Sequence, residues 1–132
     1  MVRVLDSHAL LAYLEKEPGF EAVQSVFLHA VEKESPVLMT AVNFGEVYYV
    51  VMRELGSEKA VEIEHVIGQL PIQIVGVDID LAREAAKFKA AKKMSYADCF
   101  AAALAKLHGG ELITGDKEFK EVERDVKVLW IR

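Results

Sequence analysis

The chain has 132 residues, 52% of them apolar and 28% charged, with a formal net charge of −5. That length suits one domain able to bury enough surface to fold without staples, and the apolar content excludes a disordered chain. No apolar run approaches the roughly 20 residues of a membrane helix, a lone cysteine (Cys99) excludes an internal disulfide or a CxxC site, and the acidic balance argues against bulk electrostatic binding of nucleic acid, though not against a local basic patch.

In chain order, the first expected strand is Val2–Leu5, cut short by Asp6, Ser7 and His8, so no secretory signal is expected and the chain reads as cytoplasmic and reduced. After the turn Pro18-Gly19, the residues Phe20, Val23, Phe27, Ala30 and Val31 share one helix face. A strand at Val37–Met39 precedes a helix with Phe44, Val47, Tyr48, Val51 and Leu55 on one stripe. Gly56-Ser57 breaks it, and Ala60, Ile63, Ile67 and Leu70 repeat the spacing. A strand at Gln73–Val77 is followed by a helix marked by Leu81, Ala85 and Phe88. The cleanest stripe is Tyr96, Cys99, Phe100, Ala103, Leu104 and Leu107, where Ala101, Ala102 and Ala105 allow close approach to a second surface. Gly109-Gly110 turns the chain into strands Glu111–Ile113 and Lys127–Trp130. Short apolar strands alternating with helices predict a single α/β domain over residues 1–132, a mostly parallel sheet covered on both faces.

The chemical signal is the placement of four acids. Asp6 follows the first strand and opens a helix; Asp116 follows the fourth strand; Glu46 and Asp98 lie about one turn into their helices. Capping explains each one separately: Ser95-x-x-Asp98 and Asn43-x-x-Glu46 have capping-box spacing, and Asp6 and Asp116 are acceptable N-caps. Four together behave differently. In open α/β sheets ligands bind beyond the carboxyl ends of the strands. If strands one and four are neighbours, these carboxylates meet. Two of them about 4 Å apart repel by roughly 4 kcal/mol at an effective dielectric near 20. A helix end returns only about 0.3–1 kcal/mol. Such a cluster needs protons or a divalent cation, and oxygen ligands without His or Cys favour Mg²⁺ or Mn²⁺ over zinc.

Asp6 in Val-Leu-Asp-Ser-His-Ala-Leu-Leu, Glu46 in Asn-Phe-Gly-Glu-Val, Asp98 in Ser-Tyr-Ala-Asp-Cys-Phe and Thr114-Gly-Asp116-Lys-Glu-Phe119 together resemble a PIN domain. More closely, the chain resembles the VapC-type toxin ribonucleases of prokaryotic toxin–antitoxin pairs, over nearly its whole length. The resemblance implies a three-layer α/β/α fold with a five-stranded parallel sheet in the order 3-2-1-4-5. It also implies that Asp6, Glu46, Asp98 and Asp116 form an acidic catalytic and metal-binding quartet, supported by Thr114 and by Ser7 beside the first acid. The implied activity is Mg²⁺- or Mn²⁺-dependent hydrolysis of RNA phosphodiesters. The implied partners are an RNA substrate, an antitoxin protein whose C-terminal segment occupies the acidic groove, and a second copy in a homodimer, with the helices near residues 11–31 and 44–55 offering hydrophobic surface.

Other residues have plainer readings. His8 and Cys99 are expected to be structural, Tyr48 to pack in the core, and Trp130 to pack at the sheet. Lys87, Lys89, Lys92 and Lys93, with Lys117 and Lys120 around Asp116, form either a weak basic rim for RNA or a solvated face. The rival reading is a non-catalytic PIN-like or receiver-like binding module. A receiver needs a lysine after its last strand, where this chain has Ile131-Arg132, and a phosphotransferase-like hydrolase needs a DxD pair in place of Asp6-Ser7-His8.

Overall fold

A computed structural model describes residues 1–132. The chain runs β1 (Arg3–Leu5), α1 (Ser7–Leu14), α2 (Phe20–Glu32), β2 (Val37–Thr40), α3 (Ala41–Leu55), α4 (Ser57–Gln69), β3 (Ile72–Val75), α5 (Ile79–Ala91), α6 (Tyr96–Leu107), β4 (Glu111–Thr114), a 3₁₀ helix (Lys117–Val122) and β5 (Lys127–Trp130). The five strands form one parallel sheet in the order β3-β2-β1-β4-β5, as expected. Val4 pairs with Leu38 and Leu112, Leu5 with Ile113, and Thr114 with Trp130.

Side chains alternate across each strand, so successive residues feed opposite layers. Val4 and Leu112 pack with α5, α6 and the 3₁₀ helix, whereas Leu5 and Ile113 pack with α1 to α4. From Asp98 to Ala105, every residue of α6 is buried, and its alanines let it press on both the sheet and α5. At Gly110 a Cβ would lie 2.5 Å from the Val2 carbonyl oxygen, so only glycine permits the β1–β4 approach there. No helix is long and apolar enough to cross a membrane.

Several element edges differ from expectation in an informative way. β2 and β4 each run one residue further, to Thr40 and Thr114, and both threonines are fully buried with their hydroxyls in use. β3 starts at Ile72 and ends at Val75, releasing Gly76 and Val77 into the connection to α5. Val31, Leu55, Tyr96 and Leu107 fall on the right helical period but at the ends of their stripes, where the sheet no longer covers them, and they are exposed.

Candidate metal centre

β1 ends at Leu5 and α1 starts at Ser7, which leaves Asp6 as the N-cap at the carboxyl end of the central strand. Its Oδ1 accepts the Ala9 N–H at 2.8 Å and its Oδ2 accepts the Thr114 hydroxyl at 2.5 Å. Thr114 Oγ1 in turn accepts the Asp116 N–H at 2.9 Å. Two neighbouring strand ends are thereby locked through one carboxylate that has no solvent exposure. Burial pushes the Asp6 carboxyl up to about 7, against the lowering effect of these two hydrogen bonds, and the charges of Asp116 and Glu46 raise it further.

Glu46 is the sixth residue of α3, and its Oε1 accepts the Ser7 hydroxyl. The proposed Asn43-x-x-Glu46 capping box is not what the structure contains. Thr40 is the N-cap, accepting the Asn43 N–H at 3.0 Å, and Thr40 Oγ1 also donates to Asn43 Oδ1. Asn43 Nδ2 then donates to the Ala97 carbonyl at 3.0 Å, tying α3 to the first turn of α6. The spacing Asn-x-x-Glu matched a box, but Thr40-x-x-Asn43 lies three residues earlier and takes the cap, so Glu46 is left free of any capping role.

Ser95 caps α6 as expected, accepting the Asp98 N–H at 3.2 Å. The box does not close, because the Ser95 N–H goes to Glu118 Oε1 at 2.8 Å instead of to Asp98. Asp116 caps the 3₁₀ helix, its Oδ1 accepting the Glu118 N–H at 2.9 Å. Oxygen atoms of Asp98, Asp116 and Glu118 lie within 4.8 Å of one another. At that separation each pair of ionised carboxylates repels by about 3 kcal/mol at a dielectric near 20. Burial pushes Asp98 up to about 8, with further increments from the charges of Asp116 and Asp6 and from its contact with Glu118.

The result is an open groove of about 300 Å³ lined by Ser7, Glu46, Ser95, Asp98, Asp116 and Glu118, with His8, Leu11 and Val50 on its flanks. Asp6 sits beneath it, close enough to feel Asp116 and Glu46. All four acids singled out in the sequence therefore converge, and Thr114 and Ser7 contact them directly. Glu118 is the member that sequence reasoning passed over. It stood inside the quoted Thr114–Phe119 motif, but its inward turn depends on the 3₁₀ geometry of Lys117–Val122, which the spacing did not reveal.

The donor set is all oxygen, which suits a hard divalent ion. Burial lowers the pKa of His8, keeping its ring neutral; the ring packs on Gly115, and Nδ1 has no hydrogen-bond partner. Cys99 is in the core, and burial pushes its thiol up, away from thiolate chemistry. Tyr13 is stacked on Phe20 and edge-on to Phe27, and Tyr48 is half-buried against Phe44. Three of the four lysines before α6 serve the fold: Lys87 pairs with Glu84, Lys89 Nζ donates to the Met94 carbonyl, and Lys92 pairs with Asp125.

Residues 3–125 match the PIN domain family. The chain belongs to that family. The protein is 27% identical over 127 residues to Ribonuclease VapC30 of Mycobacterium tuberculosis, an alignment covering 91% of this chain and 94% of the relative. This PIN domain also superimposes on DNA-bound VapBC from Salmonella typhimurium with a TM-score of 0.79 at 15% identity, covering 100% and 99% of the two chains. Mycobacterium tuberculosis VapC20, described as a sarcin–ricin loop cleaving toxin, gives 0.64 at 16% identity over 89% and 92%. At such identities the structural matches establish the PIN fold.

Proposed function

We propose that this PIN domain is a divalent-metal-dependent endoribonuclease, the toxin of a toxin–antitoxin pair. The observation that carries the reading is the convergence of Asp98, Asp116 and Glu118 above the buried Asp6, a set of oxygen ligands with no protein cation among them. Similarity to ribonucleases named VapC over nearly the whole chain supports the same reading.

Asp98 and Asp116 would hold Mg²⁺ or Mn²⁺, with Glu118 as a further oxygen donor on the same rim. Asp6, fixed by Thr114 and the Ala9 N–H, orders the base of the site. When bound, the ion activates water as a Lewis acid and offsets the charge of a phosphodiester. Glu46 stands across the groove with its Oε1 pinned by Ser7, placed to orient a water or accept its proton. Neutral His8 supplies no charge to the site and is left out of the chemistry.

The same reading makes RNA the substrate and an antitoxin protein the physiological partner, supported by the likeness to a VapBC assembly and to a named toxin. A homodimer belongs to this proposal as well. The test is cleavage of structured RNA in Mn²⁺ or Mg²⁺, with and without chelator, alongside Asp6→Asn and Asp98→Asn proteins. Cleavage lost in chelator and in both variants is the expected outcome. Cleavage that persists in either case refutes metal-assisted hydrolysis at this groove.

A further inference from the structure

Beside the acidic groove, on the other side of Gly115, lies a second pocket of about 600 Å³ lined by Gly115, Lys117, Lys120, Trp130 and Arg132. Its charge is opposite to that of the protein, which carries −5 overall. Seven of the sixteen lysines and arginines form ion pairs: Arg3, Lys59, Arg83, Lys87, Lys92, Lys106 and Lys127. Lys117, Lys120 and Arg132 form none within 4.0 Å. Three cations lining one pocket, none of them in an ion pair, are a place for an external anion.

The remaining wall narrows what kind of anion. Trp130 is the only tryptophan in the chain. It stands opposite Thr114 in the β4–β5 register, packs partly on the core, and stays half-exposed toward the pocket. Its indole N–H donates to Glu123 at 3.2 Å, which fixes the orientation of the ring. Packing at the sheet, as expected for Trp130, is therefore only half of its role. Cations alone would suit any polyanion. Cations around an oriented aromatic face suit a chain that alternates phosphates with flat bases.

Position supplies the link to the groove. Gly115 and Lys117 line this pocket while Asp116, between them, lines the groove. The two sites therefore adjoin across a single stretch of backbone, Gly115 to Lys117. We infer that the Lys117–Lys120–Trp130–Arg132 pocket is a subsite for single-stranded RNA next to the cleaved bond, with a phosphate on the cations and a base on the indole. The inference rests on the nuclease reading of the neighbouring groove, and it deepens that reading by assigning where the strand lies.

The single tryptophan makes the test specific. Oligoadenylate is titrated in chelator at low salt, so that binding is read without cleavage, following Trp130 emission and the anisotropy of the labelled RNA. Saturable quenching is expected, with affinity falling about tenfold or more in a Lys117→Gln/Lys120→Gln protein. The slope of log affinity against log salt should shrink by about 1.4, two lysines at about 0.7 each for single strands. Absence of saturable binding, binding without quenching, or unchanged affinity in the double variant overturns the subsite. Equal quenching by polyglutamate overturns it too, in favour of an acidic protein segment. Mn²⁺-dependent melting and RNA cleavage by the unmodified protein report separately on the groove, so a failed subsite and a failed nuclease give different results.

Discussion

Replacing Asp6 by Asn removes a fully buried charge that the fold holds at a cost when no ion is present. The carboxyl sits at about 7, against an ordinary value of 3.8. At 1.36 kcal/mol for each tenfold change, that difference is about 4 kcal/mol between the two protonation states. The sign follows from linkage: the folded protein binds this proton more tightly than the unfolded chain does. The stabilisation is therefore complete below about pH 4 and is lost as pH climbs through 7. Asn can still accept the Ala9 N–H through Oδ1, and its amide can donate to Thr114 Oγ1, so the cap survives. Urea unfolding followed by Trp130 emission, in chelator from pH 4 to 8, should show the variant gaining about 4 kcal/mol on the wild type across that window. For a domain of this size the corresponding shift in Tm is roughly 15 °C. Groups common to both proteins cancel in the difference; Asp98, itself pushed up to about 8, loses a like-charged neighbour and adds to the gain. Parallel stability curves for the two proteins would refute the claim that Asp6 is strained by its charge.

Glu118→Gln keeps an oxygen for the Ser95 N–H but removes a charge from the acidic rim; the Mn²⁺-induced rise in Tm, about 2.7 kcal/mol of stabilisation when the ion is at a hundred times its Kd, should need about tenfold more ion. Asn43→Ala severs the link between α3 and the Ala97 carbonyl, costing about 2 kcal/mol in urea unfolding and lowering RNA cleavage further than the stability loss accounts for. Gly110→Ala forces a methyl against the Val2 carbonyl, where backbone cannot move aside, and should cost about 2 kcal/mol or more without changing the Mn²⁺ concentration needed for half the thermal shift.

The fold was legible because its evidence is periodic. Strands alternating with helices, and apolar residues at 3.6-residue spacing, leave few ways to bury both faces of a sheet, and β5 was placed residue for residue at Lys127–Trp130. Val31 and Leu107 share the predicted faces yet are exposed, since periodicity reports which face a residue shares and not how far the neighbouring layer extends. In the site, Asp6, Glu46, Asp98 and Asp116 stood out because each follows a strand or opens a helix. Glu118 and Asn43 did not, for a common reason. Glu118 reaches the groove through a 3₁₀ turn, and Asn43 reaches Ala97 across 54 residues of chain. Both depend on how separate segments meet, which no local spacing encodes. The lysines show the converse: a run that reads as one basic rim divides, in three dimensions, into Lys87 and Lys92 paired with carboxylates and Lys117 and Lys120 without partners.

The two ends of the same sheet show how this chain treats buried acids. At the amino ends of the strands, Glu111 is buried on β4, and Arg3 and Lys127 from the flanking strands both pair with it, at 3.2 and 3.4 Å. At the carboxyl ends, Asp6 and Asp98 are just as buried and have no such partner: the Asp6 carboxylate accepts the Thr114 hydroxyl and the Ala9 N–H, and the Asp98 carboxyl contacts Glu118. Hydroxyl and amide dipoles orient a carboxylate but do not cancel its charge, as the upward shifts of both groups attest. A fold that neutralises one buried acid twice over leaves two others without a cationic side chain, so their charge must be balanced by protons or by a cation from outside the polypeptide. The four-residue length of β4 separates a clamped structural acid from an uncompensated acidic cluster.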